Sequence, residues 1–144
     1  ASAAQGDYLK KLLTAAPKVA SPGEQLYEMA CLPCHQPEGK GLPGVYPPLA
    51  GSDWVRGDKA RIIKVVLHGL TGPVTVAGQN FGGTPASVPM PSLGGLTDEQ
   101  IADVLTFVRA SYGQQSSPVT AAEVKAVRAT TTTRQAPWTA AELK

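Results

Sequence analysis

The 144-residue chain is sized for one domain, and its 13 Lys and Arg against 11 Asp and Glu leave a net charge of only +2, which argues against nucleic acid as a partner. No apolar run reaches the ~18 residues of a membrane-spanning helix, and no basic segment followed by an apolar one marks a secretory leader. Aromatic residues make up 6% of a chain with 15 Gly and 13 Pro, so an unaided core would be thin.

Ala1-Ser2-Ala3 has the small residues of a processing site. Asp7 to Ala16 then predicts a short amphipathic helix, capped by Asp7 and stopped by Pro17. Ser21-Pro22-Gly23-Glu24 is the clearest helix start, with a capping box and proline at the first helical position. That helix is expected to run through Leu26, Tyr27 and Ala30 into Cys31, with Gly23 and Tyr27 offering a close crossing to another helix.

At its end stands Cys31-Leu32-Pro33-Cys34-His35. Two cysteines two residues apart, followed at once by histidine, form the attachment pattern for c-type haem. Each thiol adds across a vinyl group, the short spacer lets both reach one porphyrin edge, and His35 supplies an imidazole to iron. An enclosed porphyrin would also supply the apolar mass that the composition lacks. Three other chemistries compete for the same residues. A thioredoxin-like redox pair wants a βαβ setting that is missing here. A zinc site of Cys31, Cys34, His35 and His68 lacks two-pair spacing. A Cys31–Cys34 disulfide would close too small a loop to stabilise much.

From Gln36 to Gly51 periodicity gives way to glycine and proline, which predicts a loop. Metal-bound histidines donate their second N–H to an acceptor, and the Pro47 carbonyl is the candidate for His35. Trp54 and Arg56 precede a helix over about Asp58–His68 and are candidate donors to haem propionates, with surface packing as the alternative. His68 is read as a histidine meeting the helix dipole rather than as a sixth ligand. Pro73 to Phe81 predicts a small hairpin turning at Gly78. Of the two methionines, Met29 sits on the attachment helix and cannot cross the ring. Met90, on a separate loop between Pro89 and Pro91, is the candidate thioether ligand, against the usual reading of methionine as core filler. Thr97 to Gln100 opens a helix running to Gly113, with Val104 and Phe107 expected to meet Gly23 and Tyr27. In the tail, Thr120 with Glu123 and Thr139 with Glu142 begin two further helical pieces, and Trp138 is expected to anchor them.

Taken together, Ser21 to Gly113 resembles a class I mono-haem cytochrome c. Gly23 and Tyr27 precede the attachment motif, Pro47 follows it, Met90 lies in a Pro-Met-Pro setting, and Val104 with Phe107 lie on the last core helix. The resemblance implies an all-α cytochrome c fold with a small β-hairpin, its first and last core helices crossing near right angles. It divides the chain into a helical extension (1–20), a haem domain (21–113) and a C-terminal extension packing on it (114–144). Gly69-Leu70 and Gly72-Pro73 through Gly78 and Phe81 are more loosely similar to cytochrome subunits of periplasmic quinoprotein dehydrogenases, although Thr84 to Val88 lengthens the approach to Met90.

The implied function is electron transfer by one covalent haem c with His35 and Met90 as axial ligands, not catalysis. Redox proteins are the implied partners, with a dehydrogenase as donor and an oxidase or another cytochrome as acceptor. Covalent attachment takes place outside the bacterial cytoplasm, so a periplasmic location is expected. The rivals are a haem sensor or enzyme with a displaceable Met90, and a thiol-disulfide oxidoreductase. The core is slightly acidic, six basic against eight acidic residues from 20 to 113, so no basic docking ring is visible.

Overall fold

The computed structural model describes residues 20–85 and 87–143. The helix expected over Asp7–Ala16 lies outside the described residues. Helix α1 (Pro22–Ala30) starts where the capping pattern predicts, with Ser21 Oγ accepting from the Glu24 N–H at 3.2 Å and Pro22 in the first turn. It does not carry the whole motif. Pro33 has no N–H to return to the Met29 carbonyl, so the ladder breaks at Cys31, and Cys34 and His35 fall on a separate turn, α2 (Leu32–His35).

After a loop of glycines and prolines, Ser52 accepts from the N–H groups of Trp54 and Val55 and starts a one-turn helix, α3 (Asp53–Arg56). Asp58 caps α4 (Lys59–His68), which Gly69 ends. Strand β1 (Leu70–Thr71) follows, then the expected hairpin of β2 (Val74–Val76) and β3 (Gln79–Phe81), with Val74 opposite Phe81. Helix α5 (Asp98–Tyr112) begins with a complete capping box between Thr97 and Gln100. Beyond Gly113 lie α6 (Ala121–Thr130), boxed by Thr120 and Glu123, and β4 (Trp138–Thr139). Sequence patterning does not foresee β4, which pairs in parallel with β1, Leu70 against Trp138.

The core forms where α1 lies across α5. Gly23 makes this possible: a Cβ there would run into the Asp103 carbonyl oxygen and come within 2.9 Å of Phe107 Cβ. One turn on, Tyr27 is 2% exposed and packs its ring on Phe107 and Tyr112, with centroids 5.7 and 5.5 Å away. Phe107 thus meets Gly23 as expected, but the closest approach is to the Asp103 backbone rather than to Val104. Ile101, Val104, Leu105 and Val108 of α5 pack with Ile63, Val66 and Leu67 of α4. Each fully buried aliphatic side chain of this kind contributes about 1.5–3 kcal/mol relative to exposure. The segment after Gly113 joins this same core, with Val119 and Val124 only 3% and 0% exposed.

Arg109 is 3% exposed although it carries a charge. Its guanidinium donates to the carbonyls of Val55 at 2.8 Å, Gly57 at 3.0 Å and Ser117 at 2.8 Å, so burial is met by hydrogen bonds rather than by a carboxylate. It thereby ties the end of α3 and the start of the C-terminal segment to α5. No described helix is long and apolar enough to cross a membrane.

Candidate functional site

The folds of α2, the 36–51 loop, β1 and the loop around Met90 enclose a cleft with two lobes, about 260 and 100 Å³. Cys31, His35, Pro47, Leu70, Val74, Met90 and Leu93 line both, so the lobes are continuous. Cys34 lines the larger lobe, toward Gly82 and Gly83. The smaller lobe is almost wholly aliphatic, walled by Val55, Ile62, Val65, Val66, Val76, Val104, Leu105 and Val108. Two thiols, one imidazole and one thioether therefore share a cleft with one aliphatic lobe.

His35 is buried, and its Nδ1 lies 2.8 Å from the Pro47 carbonyl oxygen. A carbonyl only accepts, so the proton sits on Nδ1 and Nε2 keeps its lone pair. Burial lowers the His35 pKa, and the Pro47 hydrogen bond opposes that only in part, so the ring stays neutral. A neutral imidazole with its second nitrogen anchored is the form that binds a metal. Gly41 allows the loop to close on this histidine. At φ +65° its N–H donates to the His35 carbonyl at 2.7 Å, and a Cβ there would lie 2.5 Å from the Tyr46 carbonyl oxygen.

The residue after His35 carries strain. Gln36 sits at φ 67°, ψ 164°, a region almost reserved for glycine. It is held there by the Tyr27 hydroxyl, which donates to its carbonyl at 2.7 Å, and by its own N–H, which donates to Leu32 at 2.9 Å. Gln36→Gly is expected to stabilise the protein by about 1 kcal/mol, the relief of strain outweighing glycine's extra chain entropy. Thermal unfolding checks this, and an unchanged or lower midpoint would show that Gln36 carries no strain.

Met90 lines both lobes, and its backbone pairs with Leu70 through N–H···O bonds of 2.9 and 3.1 Å. The Trp54 ring lines the smaller lobe, but its indole N–H donates to the Thr75 carbonyl at 3.0 Å, and the Arg61 guanidinium stacks 4.2 Å from its centroid. Arg56 is exposed at the last position of α3 and lines neither lobe. His68 turns away from the cleft, with Nε2 2.9 Å from Thr131 Oγ1. Burial and the neighbouring Arg134 and Arg128 charges lower its pKa, so it is a neutral hydrogen-bonding group rather than a cation on the α4 dipole. The zinc set of Cys31, Cys34, His35 and His68 does not assemble, and among the described residues no group of three or more His, Cys, Asp or Glu converges.

Burial, reinforced by Cys34, pushes the Cys31 thiol up to about 11, opposite to the lowered value of a thiol-disulfide nucleophile. Both thiols are free and lie on the cleft wall. This donor set fits a covalently attached haem: sulfur for two thioethers, a neutral nitrogen for iron, a soft thioether on the same cleft and an aliphatic lining.

Sequence reasoning missed Arg109 and the Leu70–Met90–Trp138 pairing. Arg109 had a signal, since it lies one turn after Leu105 on the apolar face of α5. The pairing had none, because strands of two residues carry no readable period.

Comparison with known proteins places these residues among relatives. A family profile described as "Cytochrome c" matches residues 20–111. The chain is 37% identical over 122 residues to cytochrome c-552 of Thermus thermophilus, covering 78% of this chain and 88% of that protein. It is 33% identical over 134 residues to the cytochrome c subunit of a quinone alcohol dehydrogenase from Gluconacetobacter polyoxogenes, covering 88% of this chain and 27% of that subunit. The cytochrome c subunit of gluconate 2-dehydrogenase from Pantoea cypripedii is 34% identical over 113 residues, covering 74% and 24%.

Proposed function

Because the chain belongs to the cytochrome c family, whose members carry covalent haem c and transfer electrons, we propose that it is a one-haem electron carrier joined through Cys31 and Cys34. In this reading His35 and Met90 are the axial ligands. The observation that carries it is the convergence of those four side chains on one cleft, with the imidazole proton held by Pro47.

The haem supplies a one-electron ferric/ferrous couple. This chain's residues tune and protect that couple. The Pro47 carbonyl keeps His35 in one tautomer and raises its basicity as a ligand. The Met90 thioether favours the reduced state, which raises the potential. The aliphatic lobe from Val55 to Val108 offers the group a low-dielectric surround. Held by both His35 and Met90, the iron would leave no position for a substrate, which would separate a carrier from a sensor or enzyme.

The donor is proposed to be a dehydrogenase, as the names of the alcohol and gluconate dehydrogenase subunits suggest, and the acceptor an oxidase or another cytochrome. The contact would be small and transient, as weak redox encounters are. A periplasmic location belongs to the same proposal.

The test is mass and colour under denaturing conditions. The purified chain should retain one porphyrin through unfolding, and the Cys31→Ala, Cys34→Ala double variant should release it. A colourless chain of bare mass with two titratable thiols would overturn the reading in favour of a thiol oxidoreductase.

A further inference from the structure

We propose that the C-terminal segment 128–143 is a positioning device for Met90, tying the methionine loop at two points from outside the cleft. This rests on the reading of Met90 as an iron ligand. The first tie runs through backbone. Met90 pairs with Leu70 on one side, and the other edge of Leu70 takes Trp138 in parallel register, where the Trp138 N–H donates to the Gly69 carbonyl at 3.0 Å. Residues 90, 70 and 138 thus lie side by side, and the middle strand is only two residues long. So short a strand has almost no stability of its own and keeps its place through its neighbours.

Trp138 is itself fastened. The Arg134 guanidinium lies 3.5 Å from its ring centroid and the Lys64 ammonium 5.5 Å, with the His68 ring edge-on at 6.1 Å. Arg134 is fixed in turn by two 2.9 Å bonds to Glu142 and by bonds of 2.9 Å to the Ala136 carbonyl and 2.8 Å to that of Pro137. The second tie comes from α6. Arg128 donates to the carbonyls of Gly94 at 2.9 Å and Leu96 at 2.8 Å, and to Asp98 at 2.8 Å. It holds the chain as it leaves the Met90 loop for α5.

Arg128, Arg134 and Trp138 do not line the cleft, so they act on the site only through this loop. A state with Met90 off the iron requires the loop to move, and the tail opposes that movement. Loosening the tail should therefore populate the open state without changing the ligands.

The measurement uses the ferric holoprotein with imidazole as a probe competing for the Met90 position, at a temperature where far-ultraviolet circular dichroism shows every variant folded. Trp138→Ala and Arg128→Gln are each expected to raise the imidazole association constant about tenfold, and the pair by more than either alone, because apparent affinity follows the open fraction. Lys59→Gln, which loosens α6 at Glu123 away from the loop, should leave it unchanged. Variants that lower the denaturant midpoint yet bind imidazole like the parent would overturn the proposal and leave the tail a structural role only. Should Trp138→Ala not fold, Arg128→Gln alone decides. A failure of the ligand reading is distinct, since the parent would then bind imidazole as tightly as Met90→Ala does.

Discussion

Replacing Met90 with alanine is expected to lower the reduction potential by on the order of 0.1–0.3 V, a fraction of the ~0.8 V range that axial ligands command. The weak far-red absorption that a sulfur ligand gives ferric haem should vanish with it. The reason is the ligand's softness: a thioether stabilises ferrous iron more than ferric, so its loss removes a preference for the reduced state. The alanine also opens the coordination position, and the ferrous variant should bind carbon monoxide where the parent does not. The fold should survive, because the backbone of residue 90 stays paired with Leu70. A redox titration with optical detection reads the first two effects, and the spectrum of the reduced protein under carbon monoxide reads the third. An unshifted potential and an intact far-red band would mean that another side chain ligates the iron.

The second large effect belongs to packing. Gly23→Val is expected to destabilise the protein by about 3 kcal/mol or more, beyond the ordinary 1–3 kcal/mol of overpacking, because the new atoms meet a helix backbone that cannot yield like a side chain. The Asp103 carbonyl oxygen and Phe107 Cβ occupy the space a side chain would need. Gly23→Ala sharpens the test through its sign. Helix propensity alone would favour alanine by up to about 1 kcal/mol, whereas the crossing of α1 and α5 predicts a net loss. Against a total stability of about 5–15 kcal/mol, the valine variant should unfold at a clearly lower denaturant concentration. A stabilised alanine variant would mean that the two helices do not approach as closely as the structure has them.

Helix starts were readable because capping chemistry is local. Ser21, Thr97 and Thr120 each accept from the backbone three residues on, a bond that depends on spacing alone. The attachment motif was readable for the same reason, since two thiols and an imidazole must be close in sequence to serve one porphyrin edge. The Pro47 carbonyl, expected from the need of a metal-bound imidazole for an acceptor, is the one that accepts from His35. Trp54 and Arg56 show where such reasoning stops. Both are polar residues near the motif in sequence, yet one spends its N–H on Thr75 and the other faces solvent.

By itself the sequence determined the helical class of the chain and the Cys31-x-x-Cys34-His35 attachment motif, and it made Met90 rather than Met29 the candidate ligand. All of these follow from residue type and short-range spacing. Only the tertiary structure decided that Arg109 is buried on carbonyls, that His68 bonds Thr131, and that the tail pairs with the Leu70 strand that also holds Met90. These depend on which surfaces meet across 40 or more residues, as Leu70 does with Trp138. Such pairings carry no period and no motif. Their partners are selected by the whole packed core, which short-range spacing does not describe.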